Sequence, residues 1–230
     1  MKTLVLGDIH GRNIWKDIIN KENPDRVIFL GDYVSTHENI TAKEQIDNMK
    51  EIFDYKDEHP QTILLRGNHD LQHLGYYWAE CSGFFREVEK LMIPMREDYL
   101  DRTQWIHIEG NTVFSHAGIS EVWLKETGKT LEEINGMEPS ELFGFLPDHF
   151  SDVYGDSPTQ PCTWIRPTTL VSCAIKGYDQ VVGHTSLKEC TNVKELAKLD
   201  FNLWLCDALG FGSYLVIEDG VYSEHKIEKS

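Results

Sequence analysis

Five times along this chain an apolar run stops at residues that can hold a metal ion. "LVLGDIHG" ends on Asp8 and His10, "IFLGDYV" on Asp32, and "ILLRGNHD" on Asn68, His69 and Asp70. "VFSHAG" delivers His116 and "VVGHTS" delivers His184. Short apolar runs bounded by glycine and polar residues read as buried strands. In α/β folds ligands gather outside the carboxyl ends of such strands. One histidine after a strand is usually an ordinary loop residue held by hydrogen bonds, and one aspartate is usually a turn or cap. Five strand ends that choose the same chemistry point to one shared place.

Helical patterns separate the early strands. "RNIWKDIIN" puts Ile14, Trp15, Ile18 and Ile19 on one face, and residues 41–57 open with Thr41 and Glu44 at capping-box spacing before a stripe of Ile46, Met49 and Phe53. The first 70 residues therefore read β-α-β-α-β, an α/β chain with a mostly parallel sheet. "WIHIEGNTVFSHAGI" reads as a hairpin turning at Gly110-Asn111. Helix broken at Gly128 and Gly136 is expected over 120–145, and the C-terminal part returns to strands. There is no repeat or convincing linker, so residues 1–230 are expected to form a single domain. Segments 71–103 and 120–163 are the expected cover that selects substrate.

The donor set has its own logic. Asp8 and His10 are two apart, so in extended backbone they project to the same side. A carboxylate has two oxygens and can bridge two cations, a role that suits Asp32. Asn68 adds a neutral carbonyl oxygen, and the imidazoles of His116 and His184 complete a second site. A mixed oxygen and nitrogen set without thiolate suits two divalent ions, Mn2+ first, with Fe or Zn as alternatives. Two such ions roughly 3.5–4 Å apart make a phosphoryl-transfer centre.

Composition sets the limits on partners. A formal charge of −16 lacks the basic footprint of a protein that binds long nucleic acids. Five widely spaced cysteines with no C-x-x-C make neither a disulfide framework nor a zinc knuckle. The N-terminal apolar run is too short for a signal peptide, and no run approaches the roughly 18 residues of a membrane span. A cytoplasmic protein with no membrane partner is expected.

In that order, "GDIHG", "GDYV", "RGNHD", "SHAG" and "GHT" resemble the motifs of the calcineurin-like metallophosphoesterases. The "GDYV" and "LLRGNHD" forms are most similar to the phosphoprotein phosphatase branch, with its small bacterial and phage members and the diadenosine tetraphosphatases. The resemblance implies two packed mixed β-sheets flanked by helices. It implies Asp8 and His10 on one metal, Asp32 bridging, and Asn68, His116 and His184 on the other. It also implies in-line attack on phosphorus by a hydroxide held between the metals, with His69 protonating the leaving oxygen. Arg166, in "TWIRP", matches an arginine that binds substrate phosphate in small members, while a salt bridge is the plain alternative. Arg66 is expected to brace the site loops. The implied partner is a phosphorylated substrate, whether phosphoprotein, nucleotide or small molecule.

The match breaks after "GDYV". The branch continues Asp-Arg-Gly, and here the chain reads Ser35-Thr36-His37. In the branch that Asp orients the acid histidine and that Arg binds phosphate. His69 is then expected to be oriented by Asp70 or Glu38, and phosphate to be held by Arg166 together with Arg12. Losing a cationic clamp removes a charge-assisted bond of roughly 1.5–3 kcal/mol. A phosphatase is the first expectation, a nucleotide or dinucleoside polyphosphate hydrolase or phosphodiesterase the second. An inactive binding scaffold is third.

Overall fold

The computed structural model describes residues 1–76, 79, 81–143 and 157–228. Its elements run β1 (Lys2–Leu6), α1 (Trp15–Glu22), β2 (Arg26–Phe29), α2 (Ala42–Glu58), β3 (Ile63–Leu64) and α3 (Asn68–His73). Then come α4 (Arg86–Met92), α5 (Arg96–Arg102), β4 (Ile106–Glu109), β5 (Thr112–Ser115), α6 (Glu121–Thr127) and α7 (Pro139–Phe143). The rest is α8 (Pro167–Cys173), β6 (Asp179–Val182), β7 (Thr191–Asn192), α9 (Lys194–Ala197), β8 (Leu203–Leu205), β9 (Ser213–Glu218) and β10 (Val221–Lys226).

The strands form two five-stranded sheets, ordered β10-β9-β1-β2-β3 and β4-β5-β6-β8-β7. Both are mixed. β1, β2 and β3 are parallel; β9 runs antiparallel to β1, and the edge strand β10 runs antiparallel to β9. β5, β6 and β8 are parallel, with β4 and β7 antiparallel at the two edges.

Side-chain alternation makes the layers. In β1, Val5 points one way and packs with Ile28, Leu30, Leu215, Phe114 and Val181, an apolar seam between the sheets. Leu4 and Leu6 point the other way, onto Trp15 and Ile18 of α1 and Ile46, Met49, Ile52 and Phe53 of α2. Because both faces are covered, β1 and β2 read as unbroken apolar runs rather than alternating ones. On the outer face of the second sheet, Val182, Leu203 and Leu205 pack on Ile165, Leu170 and Ala174 around α8. Val88, Met92 and Tyr99 of α4 and α5 are buried in the helical layer over the first sheet.

The local signals behaved as their chemistry requires. The Thr41 side chain accepts from Glu44 N, and Glu44 returns a bond to Thr41 N at 2.7 Å, closing the capping box of α2. Gly128 ends α6 in the left-handed conformation. The hairpin turns at Gly110 and Asn111, between β4 and β5. Two short elements, β7 and α9, carry too few apolar residues to show a period in the sequence.

Candidate metal centre

The parallel strands of both sheets end on the same side, and the expected donors meet there. The crossing bonds are explicit. His116, after β5, donates from Nδ1 to Leu30 O after β2 (2.8 Å). His184 N, after β6, donates to Asp8 Oδ1 after β1 (3.0 Å). His69 N, in the first turn of α3, donates to Asp32 Oδ1 (2.9 Å). Gly67 permits the last contact, because a Cβ there would sit 2.0 Å from Asp32 Oδ1.

Backbone conformation marks the same place. His10, Asp32, Ser35 and His184 all have positive φ, at 46°, 52°, 71° and 63°. Non-glycine residues rarely adopt that region, which costs of order 1–3 kcal/mol each and clusters at functional sites.

Three histidines are held by backbone carbonyls, which can only accept. His10 donates from Nδ1 to Val34 O (3.0 Å), His116 from Nδ1 to Leu30 O, and His184 from Nε2 to Trp164 O (3.0 Å). Each ring therefore turns its other nitrogen, with a lone pair, into the cluster. Burial pushes these imidazoles toward the neutral form, His10 down to about 4, His116 to about 3 and His184 well below its ordinary value. His116 Nε2 and His184 Nδ1 each lie 2.9 Å from Asn68 Oδ1. Asn68 Nδ2 is turned away to Cys81 Sγ at 3.4 Å, which fixes the amide oxygen toward the rings.

The carboxylates complete the arrangement. His10 Nε2 stands 3.9 Å from both Asp8 Oδ2 and Asp32 Oδ2, and His116 Nε2 stands 3.5 Å from Asp32 Oδ2. Donor atoms of Asp8, Asp32 and His116 lie within 4.8 Å of one another. Two ligands each about 2.1 Å from one ion are about 3–4 Å apart. Burial, then the charge of Asp207, pushes the Asp8 carboxyl well up, and burial, then the charges of Asp8 and Asp70, does the same to Asp32. Buried acceptors facing one another without a hydrogen or a countercharge are costly. The donor set fits divalent cations.

Around this centre the expected residues divide. His69 stands edge-on to His10, ring centroids 5.3 Å apart, and its backbone touches Asp32. Arg166 Nη1 donates to His184 O (2.8 Å) and Thr185 Oγ1 (3.1 Å), at the end of the segment whose Trp164 O holds His184. Arg66 lies over the Trp105 ring (4.4 Å) and donates to Leu100 O, Thr103 O and Thr103 Oγ1, bracing the loops.

Two expectations are corrected. Asp70 does not orient His69. Its carboxylate accepts from Tyr33 N, Val34 N, Gly67 N and Tyr99 OH, because those orphan donors surround it at the start of α3. Glu38 does not orient it either, since it pairs with Arg12 Nε at 2.6 Å. Arg12 also donates from Nη1 to Asp8 O (3.2 Å), which places its guanidinium beside the centre. Asp207 lies outside the expected donor set. It follows β8, is 8% exposed, and burial pushes it up to about 6 against the pull of Arg12 and Arg166. "LWLCDALG" shows the same strand-then-aspartate pattern, so the signal was present in the sequence. Of the cover segments, Cys81 and Gly83 touch the site, 86–102 belong to the helical layer, and 77, 78, 80 and 144–156 lie outside the described residues.

Comparisons with known proteins bear on the family and the fold. A family model described as calcineurin-like phosphoesterase matches residues 1–187. A symmetrical bis(5'-nucleosyl)-tetraphosphatase from Nitrosospira multiformis is 26% identical over 172 residues, covering 66% of this chain and 59% of that protein. The chain thus spans less than two thirds of the length of that curated relative. Among solved structures, a cold-active protein-tyrosine phosphatase of a psychrophilic Shewanella shares the fold at a TM-score of 0.66 and 16% identity, over 99% of this chain and 80% of that one. A protein serine/threonine phosphatase from Saccharomyces cerevisiae gives 0.61 and 14%, over 100% and 81%.

Proposed function

The chain belongs to the calcineurin-like phosphoesterase family, and from that premise we propose that it is a two-metal phosphoesterase, first of all a phosphatase. One observation carries the proposal: Asn68 Oδ1, His116 Nε2 and His184 Nδ1 converge at 2.9 Å as acceptors with no hydrogen between them. Asp8, His10 and Asp32 would hold one ion, Asn68, His116 and His184 the other, with Asp32 shared. Mn2+ is the first choice for this donor set, then Fe or Zn. Bound there, such ions would supply Lewis acidity toward phosphoryl oxygens and lower the pKa of bound water.

The chain's own residues do the rest. The carbonyls of Leu30, Val34 and Trp164 hold three imidazoles in the tautomers that face inward. His69 gives a proton to the leaving oxygen as the P–O bond breaks, the bonding pair staying on that oxygen. Arg166 offers the substrate phosphate the donors that His184 O and Thr185 leave free, a planar fork suited to phosphate. Arg12, on the Asp8 side, is a second cation near the phosphate. Five free cysteines support a reducing, cytoplasmic setting. No helix among the described residues is long and apolar enough to cross a membrane.

The second reading, hydrolysis of a dinucleoside polyphosphate or a diester, is favoured by the likeness to the tetraphosphatase and by Thr36 standing where the branch has its arginine. Turnover of p-nitrophenyl phosphate, bis-p-nitrophenyl phosphate and diadenosine tetraphosphate with Mn2+ separates them. Dominant monoester turnover supports a phosphatase, and dominance of either other substrate replaces it. Asp32→Asn with unchanged metal content and activity would defeat the two-metal proposal altogether.

A further inference from the structure

Ser35 occupies a strained and enclosed position that the centre itself does not explain. It is 2% exposed, has φ of 71°, and its backbone N donates to Gln45 Oε1 (2.8 Å). Its hydroxyl donates to Gly83 O at 2.6 Å and lies 3.0 Å from His69 Nδ1. A serine hydroxyl has one hydrogen, and a carbonyl oxygen only accepts. That hydrogen is therefore committed to Gly83, and Ser35 presents a lone pair to His69. The hydrogen between Ser35 and the ring must come from Nδ1.

Gln72 offers the opposite polarity. Its Oε1 accepts from Cys81 N (3.1 Å), which leaves its Nε2 at 3.2 Å from the same ring nitrogen. Ser35 is the closer partner, and without an Nδ1 hydrogen two lone pairs would face each other at 3.0 Å. Ser35 therefore decides the tautomer. Gly83 makes the approach possible, since it has φ of 77° and a Cβ there would stand 2.8 Å from Ser35 Oγ.

We propose that Ser35, braced by the Gly83 carbonyl, is the positioning residue of His69, accepting from Nδ1–H so that Nε2 is left for the leaving oxygen. The proposal rests on the reading of His69 as the proton donor. Nδ1–H goes to Ser35, and the proton passed to the leaving oxygen is the one carried on Nε2. After transfer the neutral ring keeps its Nδ1–H and the same bond. A neutral hydroxyl thus holds one ring orientation before and after the step, and the carboxylates of Asp70 and Glu38 are used elsewhere.

The test compares Ser35→Ala, Gly83→Ala and His69→Ala with the Mn2+-loaded wild type, on phenyl phosphate and on p-nitrophenyl phosphate. A displaced acid costs most where the leaving oxygen is most basic. Ser35→Ala is expected to lose about 10–100-fold in kcat on phenyl phosphate, and far less on p-nitrophenyl phosphate, with KM and metal content held. Gly83→Ala, which pushes into Ser35 Oγ, should show the same split and stands in if Ser35→Ala folds poorly. Ser35→Asp tolerates positive φ and restores an acceptor, so it should recover much of the loss. Imidazole 15N spectra of the proteins loaded with diamagnetic Zn2+ give a readout apart from activity: His69 signals should move in Ser35→Ala while those of His10 and His116 stay. Equal losses on both substrates, or unmoved His69 signals, overturn the proposal. If His69→Ala shows no leaving-group dependence, the proton-donor reading fails, and the His69 spectra alone then decide whether Ser35 positions the ring.

Discussion

Asn68 Oδ1 lies 2.9 Å from His116 Nε2, and neither atom brings a hydrogen to the contact. The amide is turned by its bond to Cys81, and the ring by its bond to Leu30 O. Nor can protonation of the ring readily supply the hydrogen, since burial pushes the imidazole down to about 3. A cation relieves the contact, so metal should couple strongly to folding. Stability should rise with Mn2+ by about 2.7 kcal/mol when free ion is a hundredfold above its Kd. Thermal unfolding followed across an Mn2+ series, and again after chelation, measures this. Asn68→Leu should abolish most of the rise, because an apolar side chain removes one ligand. An unfolding midpoint indifferent to Mn2+ would contradict the assignment of these six donors.

Gly67→Ala tests how closely the third strand end approaches the second. The added Cβ would sit 2.0 Å from Asp32 Oδ1 and 2.3 Å from Asp32 N, and neither can move without disturbing the donors beside it. A cost of about 2–4 kcal/mol is expected, with reduced metal content in the folded fraction. Urea unfolding and metal analysis of the same preparation check both. Wild-type stability would mean that the loop before α3 can retreat, and that Asp32 is not held by it.

Much of this was legible in the sequence because burial on both faces of β1 and β2 leaves unbroken apolar runs, and each run announces its own end. Asp8, Asp32, Asn68, His116 and His184 could be gathered that way without knowing the sheet order. What was not legible depends on contacts made far along the chain. Ser35 and Gly83 are 48 residues apart, and no period or motif connects them. Asp70 looked like a partner for its neighbour His69, yet the orphan N–H groups of Tyr33, Val34 and Gly67 claim it. Asp207 sat at a strand end in plain view, but only the second sheet's register shows that β8 ends beside β6.

Away from the centre, Glu22 should make stability depend on pH. Burial raises its carboxyl, but hydrogen bonds from Lys2 (2.5 Å), Tyr214 (2.7 Å) and His225 (3.2 Å) outweigh that and hold it at about 2, from an ordinary 4.5. A depressed folded-state pKa stabilises above the unfolded value and is lost as pH falls through the folded one. Glu22→Gln should therefore cost roughly 1–3 kcal/mol at pH 7, and the gap to wild type should narrow between about pH 4.5 and pH 2. Urea unfolding of both proteins at several pH values follows it. A gap that stays constant down the series would show that the bonds survive without the charge.

The substitution of Thr36 for an arginine gives the last prediction. Restoring that arginine would be the obvious way to strengthen phosphate binding, but the site has been rebuilt around its loss. Thr36 is 3% exposed, and its hydroxyl accepts from Glu38 N (3.0 Å), which turns Glu38 onto Arg12. An arginine in that space would have to expel a buried turn, and it would free Glu38 from its geometry. Thr36→Arg should therefore lower stability by about 1–3 kcal/mol without lowering KM. Arg166→Lys should do the reverse, leaving stability nearly unchanged. Lysine can still reach His184 O or Thr185 but cannot also present a planar pair of donors, so KM should rise by about tenfold for a loss near 1.4 kcal/mol. Steady-state kinetics on p-nitrophenyl phosphate beside urea unfolding separate the two. A fall in KM for Thr36→Arg, or an unchanged KM for Arg166→Lys, would mean that phosphate is held on the other side of the centre, by Arg12.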